Sequence, residues 1–183
     1  LPQPDIIVYL NSNTDTLMKR ITMRDRSFER QMSRDYIEGL RLEYKYYFNP
    51  LSIKHNFMGK EPIIVEIDNS ELDFLNNDDD RQFIINKIEE LVNQCNKPLN
   101  RDLFITVAGN VGAGKSTLTK LVGERLGFET HYEKVDGNPY LEDFYLNQEK
   151  WGFHLQLYFL AQRFKQQKEI DSNGLNNIQD RSI

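Results

Sequence analysis

The residues with the clearest chemical purpose are Gly109-Asn110-Val111-Gly112-Ala113-Gly114-Lys115-Ser116, followed by Thr117, which spell G-x-x-x-x-G-K-S. Gly109 and Gly114 allow the backbone to fold back so that successive N–H groups point at phosphate oxygens, and the helix that follows turns its positive end to the same anion. Lys115 can reach the β- and γ-phosphates, and Ser116 offers a hydroxyl to Mg²⁺. A glycine-rich turn that merely joins a strand to a helix is the bland alternative. The flanks argue against it, because Phe104-Ile105-Thr106-Val107-Ala108 reads as a buried strand and Leu118, Leu121, Val122 and Leu126 recur at helical spacing. The octapeptide therefore implies binding of a nucleoside triphosphate. A second group with chemical potential is Arg20 and Arg24, four residues apart on one helix face, with Arg26 just beyond, three guanidinium groups able to converge on a polyanion. Glu133, at the end of a short strand pattern, falls at the carboxyl edge where open α/β sheets bind ligands.

The elements that must position these groups alternate between strand and helix. Ile6-Ile7-Val8-Tyr9-Leu10 is a continuous apolar run, expected as a strand buried on both faces of a parallel sheet. Asn13 is suited to cap the next helix, with Asp15 in its first turn and Leu17, Met18 and Ile21 facing a core. Residues 31–48 keep a helical period through Tyr36, Ile37, Leu40, Tyr44 and Tyr47, read as ordinary core, until Asn49-Pro50 stops it. Residues 62–68 form a second strand pattern, and Asn76-Asn77-Asp78-Asp79-Asp80 is read as a solvated acidic loop before an amphipathic helix over 81–95. Residues 96–101 form a linker and divide the chain into segments 1–95 and 102–183. After the P-loop helix come a strand over 128–133, a short helix reaching Tyr145, a long helix from Lys150 to about Ile170, and a weak strand at 176–179.

Composition narrows the classes. A chain of 183 residues suits one α/β domain and is too short for two complete ones. A net charge of -5 and a pI near 5.3 argue against a nucleic-acid partner, so charged ligands depend on local arginines. The sole cysteine, Cys95, excludes an internal disulfide and a multi-cysteine metal site, which makes a reducing, cytoplasmic setting the simplest expectation. No apolar run approaches the length of a membrane span, and Leu1-Pro2-Gln3-Pro4 reads as neither a signal peptide nor a natural translation start.

The second half carries a more specific pattern. Asn138-Pro139-Tyr140-Leu141-Glu142-Asp143-Phe144-Tyr145, Trp151, Phe153-His154-Leu155-Gln156, Arg163 and Asp180-Arg181-Ser182 resemble the amino-terminal half of the deoxynucleoside kinases, in the flavour of the bacterial-type deoxyadenosine/deoxyguanosine kinases. Residues 4–95 resemble the carboxy-terminal half of that family, with a lid carrying Arg20, Arg24, Arg26 and Glu29. The order is inverted, since the family runs P-loop first and lid last, and the helices between Asp180-Arg181-Ser182 and the Ile6 strand are missing. The chain is thus read as a tandem-junction segment, ending one kinase module and beginning the next, or as a permuted single module. In either case the halves are expected to pack on each other.

The resemblance implies a P-loop kinase fold, a five-stranded parallel sheet flanked by helices with an arginine-bearing lid, and ATP- and Mg²⁺-dependent 5′-phosphorylation of a purine deoxynucleoside in nucleotide salvage. It further implies roles for single residues. Glu133 resembles the general base, Gln156 the amide that pairs with the nucleobase, and Tyr145 with Glu29 the pair holding the sugar 3′-hydroxyl. Arg163 resembles the arginine lining the base pocket, Arg181 the one near the 5′-oxygen, and Asp180 the acid that helps hold Mg²⁺ opposite Ser116. Arg20, Arg24 and Arg26 resemble the lid arginines on the phosphates. Lys134 stands where many members have proline, which puts the chain path after the base in question. A homodimer, or pairing with a sister module, is also implied. A nucleoside monophosphate kinase and a nucleotide-binding segment without turnover are the competing functions. A GTPase is disfavoured, because Asn96-Lys97-Pro98-Leu99 lacks the guanine-reading Asp and precedes the P-loop.

Overall fold

In the computed structural model, residues 3–26, 29–30, 32–49, 61–95, 102–133 and 137–181 are described. They form five strands and six helices. In chain order these are β1 (Ile6–Asn11), α1 (Thr14–Arg24), α2 (Arg34–Tyr47), β2 (Ile63–Asp68), α3 (Asp78–Gln94), β3 (Phe104–Gly109), α4 (Lys115–Leu126), β4 (Glu129–His131), α5 (Leu141–Leu146), α6 (Gln148–Ser172) and β5 (Asn177–Arg181). The linker at 96–101 and Lys134 lie outside the described residues.

All neighbouring strands run parallel in the order β2-β1-β3-β5-β4, so every connection must cross over through helix. The P-loop strand β3 is central, between β1 of the first half, register Ile6 to Ile105, and β5 of the second, register Phe104 to Asn177. The expected α/β sheet and the packing of the two halves on each other are both present: one sheet takes two strands from residues before the linker and three from residues after it. Its apolar runs explain its stability. Ile6, Val8, Ile105, Val107 and Ile178 have no exposed surface, and Leu17, Ile37, Ile84, Ile88, Leu118 and Val122 cover them from the helices. Tyr9 stacks on Phe48 at 4.8 Å between ring centroids, fixing the end of α2 against β1.

The caps follow the sequence closely. Asn13 accepts from Thr16 N–H at 2.8 Å at the start of α1, and Ser33 from Tyr36 N–H at 3.1 Å at the start of α2. The acidic stretch read as a loop is instead the beginning of α3. Asn77 caps it by accepting from the N–H groups of Asp79 and Asp80, and the three aspartates occupy the first turn, where the helix dipole favours negative charge. The strand expected over 128–133 is shorter, Glu129–His131, because β4 is an edge strand paired only with β5.

Gly123 on α4 is where that helix presses closest to the sheet. A Cβ there would lie 2.2 Å from Thr130 Cγ2 and 3.3 Å from the Phe128 carbonyl oxygen. Gly123→Ala is therefore expected to destabilise the fold by about 1–3 kcal/mol through overpacking, despite alanine's better helix propensity. Urea unfolding of the variant beside the parent checks this; equal or higher stability would show that β4 yields freely.

Candidate active site

The P-loop is shaped by its neighbours. Gly109 has φ 152°, and a Cβ on it would stand 2.6 Å from the Leu10 carbonyl oxygen, so β1 leaves no room for a side chain there. Gly114 opens α4 with φ 90° and no side-chain cap, which leaves the first N–H groups of the helix for an anion. The first half of the chain holds the loop from two sides. Asn69, just past β2, donates to the Ala113 carbonyl at 2.7 Å, and Asn110 donates to the Ile37 carbonyl of α2 at 2.9 Å. Lys115 Nζ donates to the Asn110 carbonyl at 3.0 Å, folded over the loop it serves. Burial pushes its ammonium below the ordinary lysine value, while Asp180 and Glu133 pull the other way.

One cavity of about 870 Å³ lies above the carboxyl ends of the strands. It is lined by Asn110, Val111, Gly112, Lys115 and Ser116 of the P-loop; by Glu133, Tyr145, Gln156, Arg163 and Asp180 from the rest of the second half; and by Arg24, Arg26 and Glu29 from the first half. Gly109, Ala113, Gly114 and Thr117 shape the loop and do not line the cavity. Arg181 lines a smaller adjoining pocket with Glu133 and Arg163, and burial with the nearby Arg163 pushes its guanidinium below its ordinary value.

Arg20 is not brought to this cavity. Its guanidinium donates to the carbonyls of Asn69 at 2.9 Å and Leu72 at 2.8 Å and to Ser12 Oγ at 3.3 Å, bracing the turn after β2. Four-residue spacing put Arg20 on the face of Arg24, but it sits one turn nearer β2 and meets those carbonyls first.

Two of the glutamates that line the cavity, Glu133 and Glu29, are paired with arginines. Glu133 Oε1 lies 2.9 Å from Arg163 Nη2, with both side chains under a fifth exposed. Glu29 accepts from Arg24 at 2.6 Å. The Tyr145 hydroxyl, raised above its ordinary pKa chiefly by burial, is within electrostatic reach of Tyr36, Glu29, Arg24 and Glu133. Asp180 hydrogen-bonds through Oδ2 to the Ser116 hydroxyl, and burial raises its carboxyl above the ordinary value. Its Oδ1 is buried with no hydrogen-bond partner, an arrangement that suits a divalent cation held between Ser116 and Asp180. Among the described residues no cluster of three or more His, Cys, Asp or Glu side chains is placed to hold a metal ion.

One wall escaped the sequence reading. Tyr36, Leu40, Glu43, Tyr44 and Tyr47 of α2 face the cavity. Their three-and-four spacing is identical to that of a core stripe, and Ile37 beside them is true core, so periodicity alone could not separate the two.

The family model described as deoxynucleoside kinase matches residues 1–93 and 105–183, nearly the whole chain. The chain belongs to the deoxynucleoside kinase family. Among curated members, the deoxyadenosine/deoxycytidine kinase of Bacillus subtilis (strain 168) is 61% identical over 83 residues, covering 45% of this chain and 38% of that protein. The deoxyadenosine kinase of Dictyostelium discoideum is 44% identical over 79 residues, 43% of this chain and 32% of its own length. The Bacillus subtilis deoxyguanosine kinase is 38% identical over 81 residues, 44% and 39% respectively. The chain thus spans about a third to two fifths of the length of these relatives. No solved structure matches.

Proposed function

We propose that this chain catalyses ATP-dependent transfer of a phosphoryl group to the 5′-hydroxyl of a deoxynucleoside, a purine one by preference, as a cytoplasmic nucleotide-salvage enzyme. The observation that carries this reading is that Lys115 and Ser116 of the P-loop line the same cavity as Glu133, Tyr145 and Gln156. The triphosphate would lie along the P-loop N–H groups and Lys115, with Arg24 and Arg26 on its outer side. Glu133 would accept the proton of the attacking hydroxyl, and the hydrogen bond from Arg163 would keep its carboxylate oriented. Gln156 offers donor and acceptor side by side to a nucleobase edge. Tyr145 with Glu29 would hold the sugar, and Arg181 would act from the adjoining pocket toward the transferring group. Mg²⁺, bound with Ser116 and Asp180, would neutralise charge on the phosphates. Arg20 would act at one remove, by bracing the Asn69 turn whose side chain donates to the Ala113 carbonyl of the P-loop.

The shared sheet favours a module whose two halves work together, because β1 pairs with β3 and the lid residues of the first half meet the P-loop of the second. A homodimer is part of the proposal. Phe153, Leu157, Leu160 and Phe164 form a stripe at spacings of four, three and four on α6, each 47% exposed or more. Leu157→Lys with Leu160→Lys should then shift the sedimentation mass from dimer to monomer; an unchanged mass argues against this face. Among the described residues no helix is long and apolar enough to cross a membrane.

Sugar discrimination tests the reading sharply. If Tyr145 packs beneath the sugar, an added 2′-hydroxyl must clash with the ring or lose water without a new partner, at roughly 1–3 kcal/mol. The ratio of kcat/KM for a deoxynucleoside over its ribo counterpart is expected to be about ten to a hundred or more, to persist in large part in Tyr145→Phe, and to fall in Tyr145→Ala. A ratio unchanged in Tyr145→Ala removes Tyr145 from the sugar site. Running deoxyadenosine, deoxyguanosine, deoxycytidine and their monophosphates as acceptors separates a nucleoside kinase from a monophosphate kinase.

A further inference from the structure

Glu29 is only 4% exposed, and its carboxylate is engaged by Arg24 and Arg26, two of the arginines that line the cavity. Arg24 Nε donates to Oε2 at 3.1 Å, Arg24 Nη2 lies 2.6 Å from each oxygen, and Arg26 Nη1 stands 3.7 Å from Oε1. The chain reversal that allows this is set by Asp25, which ends α1 in the left-handed region at φ 49°. On the outer side of the same reversal Arg30 pairs with Asp25 at 2.8 and 3.0 Å. The inner pair therefore turns Arg24 into the cavity that Lys115 and Ser116 line.

A carboxylate that spans a guanidinium in this way presents the same two-oxygen edge that a phosphate would. Polyphosphate and Glu29 must then compete for the same donors. We infer that Glu29 is a positioning residue that holds Arg24 and Arg26 in reserve for polyphosphate and couples their release to nucleoside binding. The inference rests on the kinase reading for the identity of the ligands. A buried carboxylate cannot be stripped of its arginine without a replacement donor, because an unpaired charge at that depth is strongly unfavourable. A sugar hydroxyl delivered beside Tyr145 is such a donor. Nucleoside binding thus weakens the hold on Arg24 and makes it available to phosphate, and by linkage the triphosphate strengthens nucleoside binding by the same factor.

The test is equilibrium binding to the full chain, by calorimetry, of a non-hydrolysable ATP analogue with and without a saturating nucleoside. In the parent protein, deoxyadenosine is expected to tighten the analogue by roughly three- to ten-fold, the range for exchange of one part-buried charged pair, and 2′,3′-dideoxyadenosine is expected to leave it unchanged. Glu29→Gln keeps the shape and removes the charge. It is expected to bind the analogue more tightly than the parent in the absence of nucleoside, by a similar factor, with no further gain from deoxyadenosine. A merely structural Glu29 would give weaker binding in the variant, and that result, or an unchanged affinity, overturns the inference. Equal effects of deoxyadenosine and the dideoxy compound in the parent overturn it as well, which keeps the test decisive should the variant fold poorly. If the analogue binds and tightens as described yet no phosphoryl transfer is found, the kinase reading fails alone; if the analogue does not bind at all, both fail.

Discussion

Replacing Lys115 with alanine is expected to abolish turnover, lowering kcat by at least about 10³-fold, while the protein remains folded. Lys115 is not a core residue. It donates to the Asn110 carbonyl within the P-loop, and burial already works against its charge, so the fold gains little from it. Its value would lie in the transition state, where negative charge moves onto the bridging and transferred oxygens and a fixed ammonium in a part-buried site counts for far more than in water. Steady-state kinetics with urea unfolding of the same samples separates the two contributions. Retained activity near the parent rate would remove Lys115 from phosphoryl transfer, and lost activity with a collapsed unfolding midpoint would make it a structural residue.

Glu133→Gln is expected to lower kcat by about 10² to 10⁴ while leaving the nucleoside KM nearly unchanged, the pattern of a lost general base. The isosteric amide can still accept the hydrogen bond that Arg163 donates to Oε1 at 2.9 Å, so the side chain should keep its position. What disappears is the ability to take a proton. The placement is also local: β4 ends at His131, Gln166 donates to the Tyr132 carbonyl at 3.1 Å, and Arg163 one turn earlier on α6 holds the carboxylate itself. A variant that kept its saturated rate but lost nucleoside affinity would make Glu133 a binding residue.

The sheet was legible because parallel strands covered on both faces must be apolar throughout, and Ile6 to Leu10 and Phe104 to Ala108 could hardly be anything else. The P-loop was legible because its glycines answer to steric demands as specific as the 2.6 Å approach of the Leu10 carbonyl. Four features were hidden for identifiable reasons. The aspartates at 78–80 look like a solvated run because a block of like charge also suits an exposed loop, whereas Asn77 caps a helix whose first turn they occupy. The α2 wall looked like core because a helix that faces a cavity has the same period as one that faces a sheet. Arg20 looked like a phosphate ligand because its spacing fixed its face but not the carbonyls of Asn69 and Leu72 that meet it. The pairing of Arg163 with Glu133, 30 residues apart in the chain, was beyond any local pattern.

One cavity, lined from both halves of this chain, is proposed to transfer a phosphoryl group to a nucleoside. The most direct measurement is phosphorus-31 NMR of a reaction of the purified 183-residue chain with ATP, Mg²⁺ and deoxyadenosine or deoxyguanosine. The prediction is a deoxynucleoside 5′-monophosphate formed in step with ADP, and neither product with Lys115→Ala. ATP that binds but stays intact beside the nucleoside, or transfer only when a nucleoside monophosphate is supplied, would contradict it.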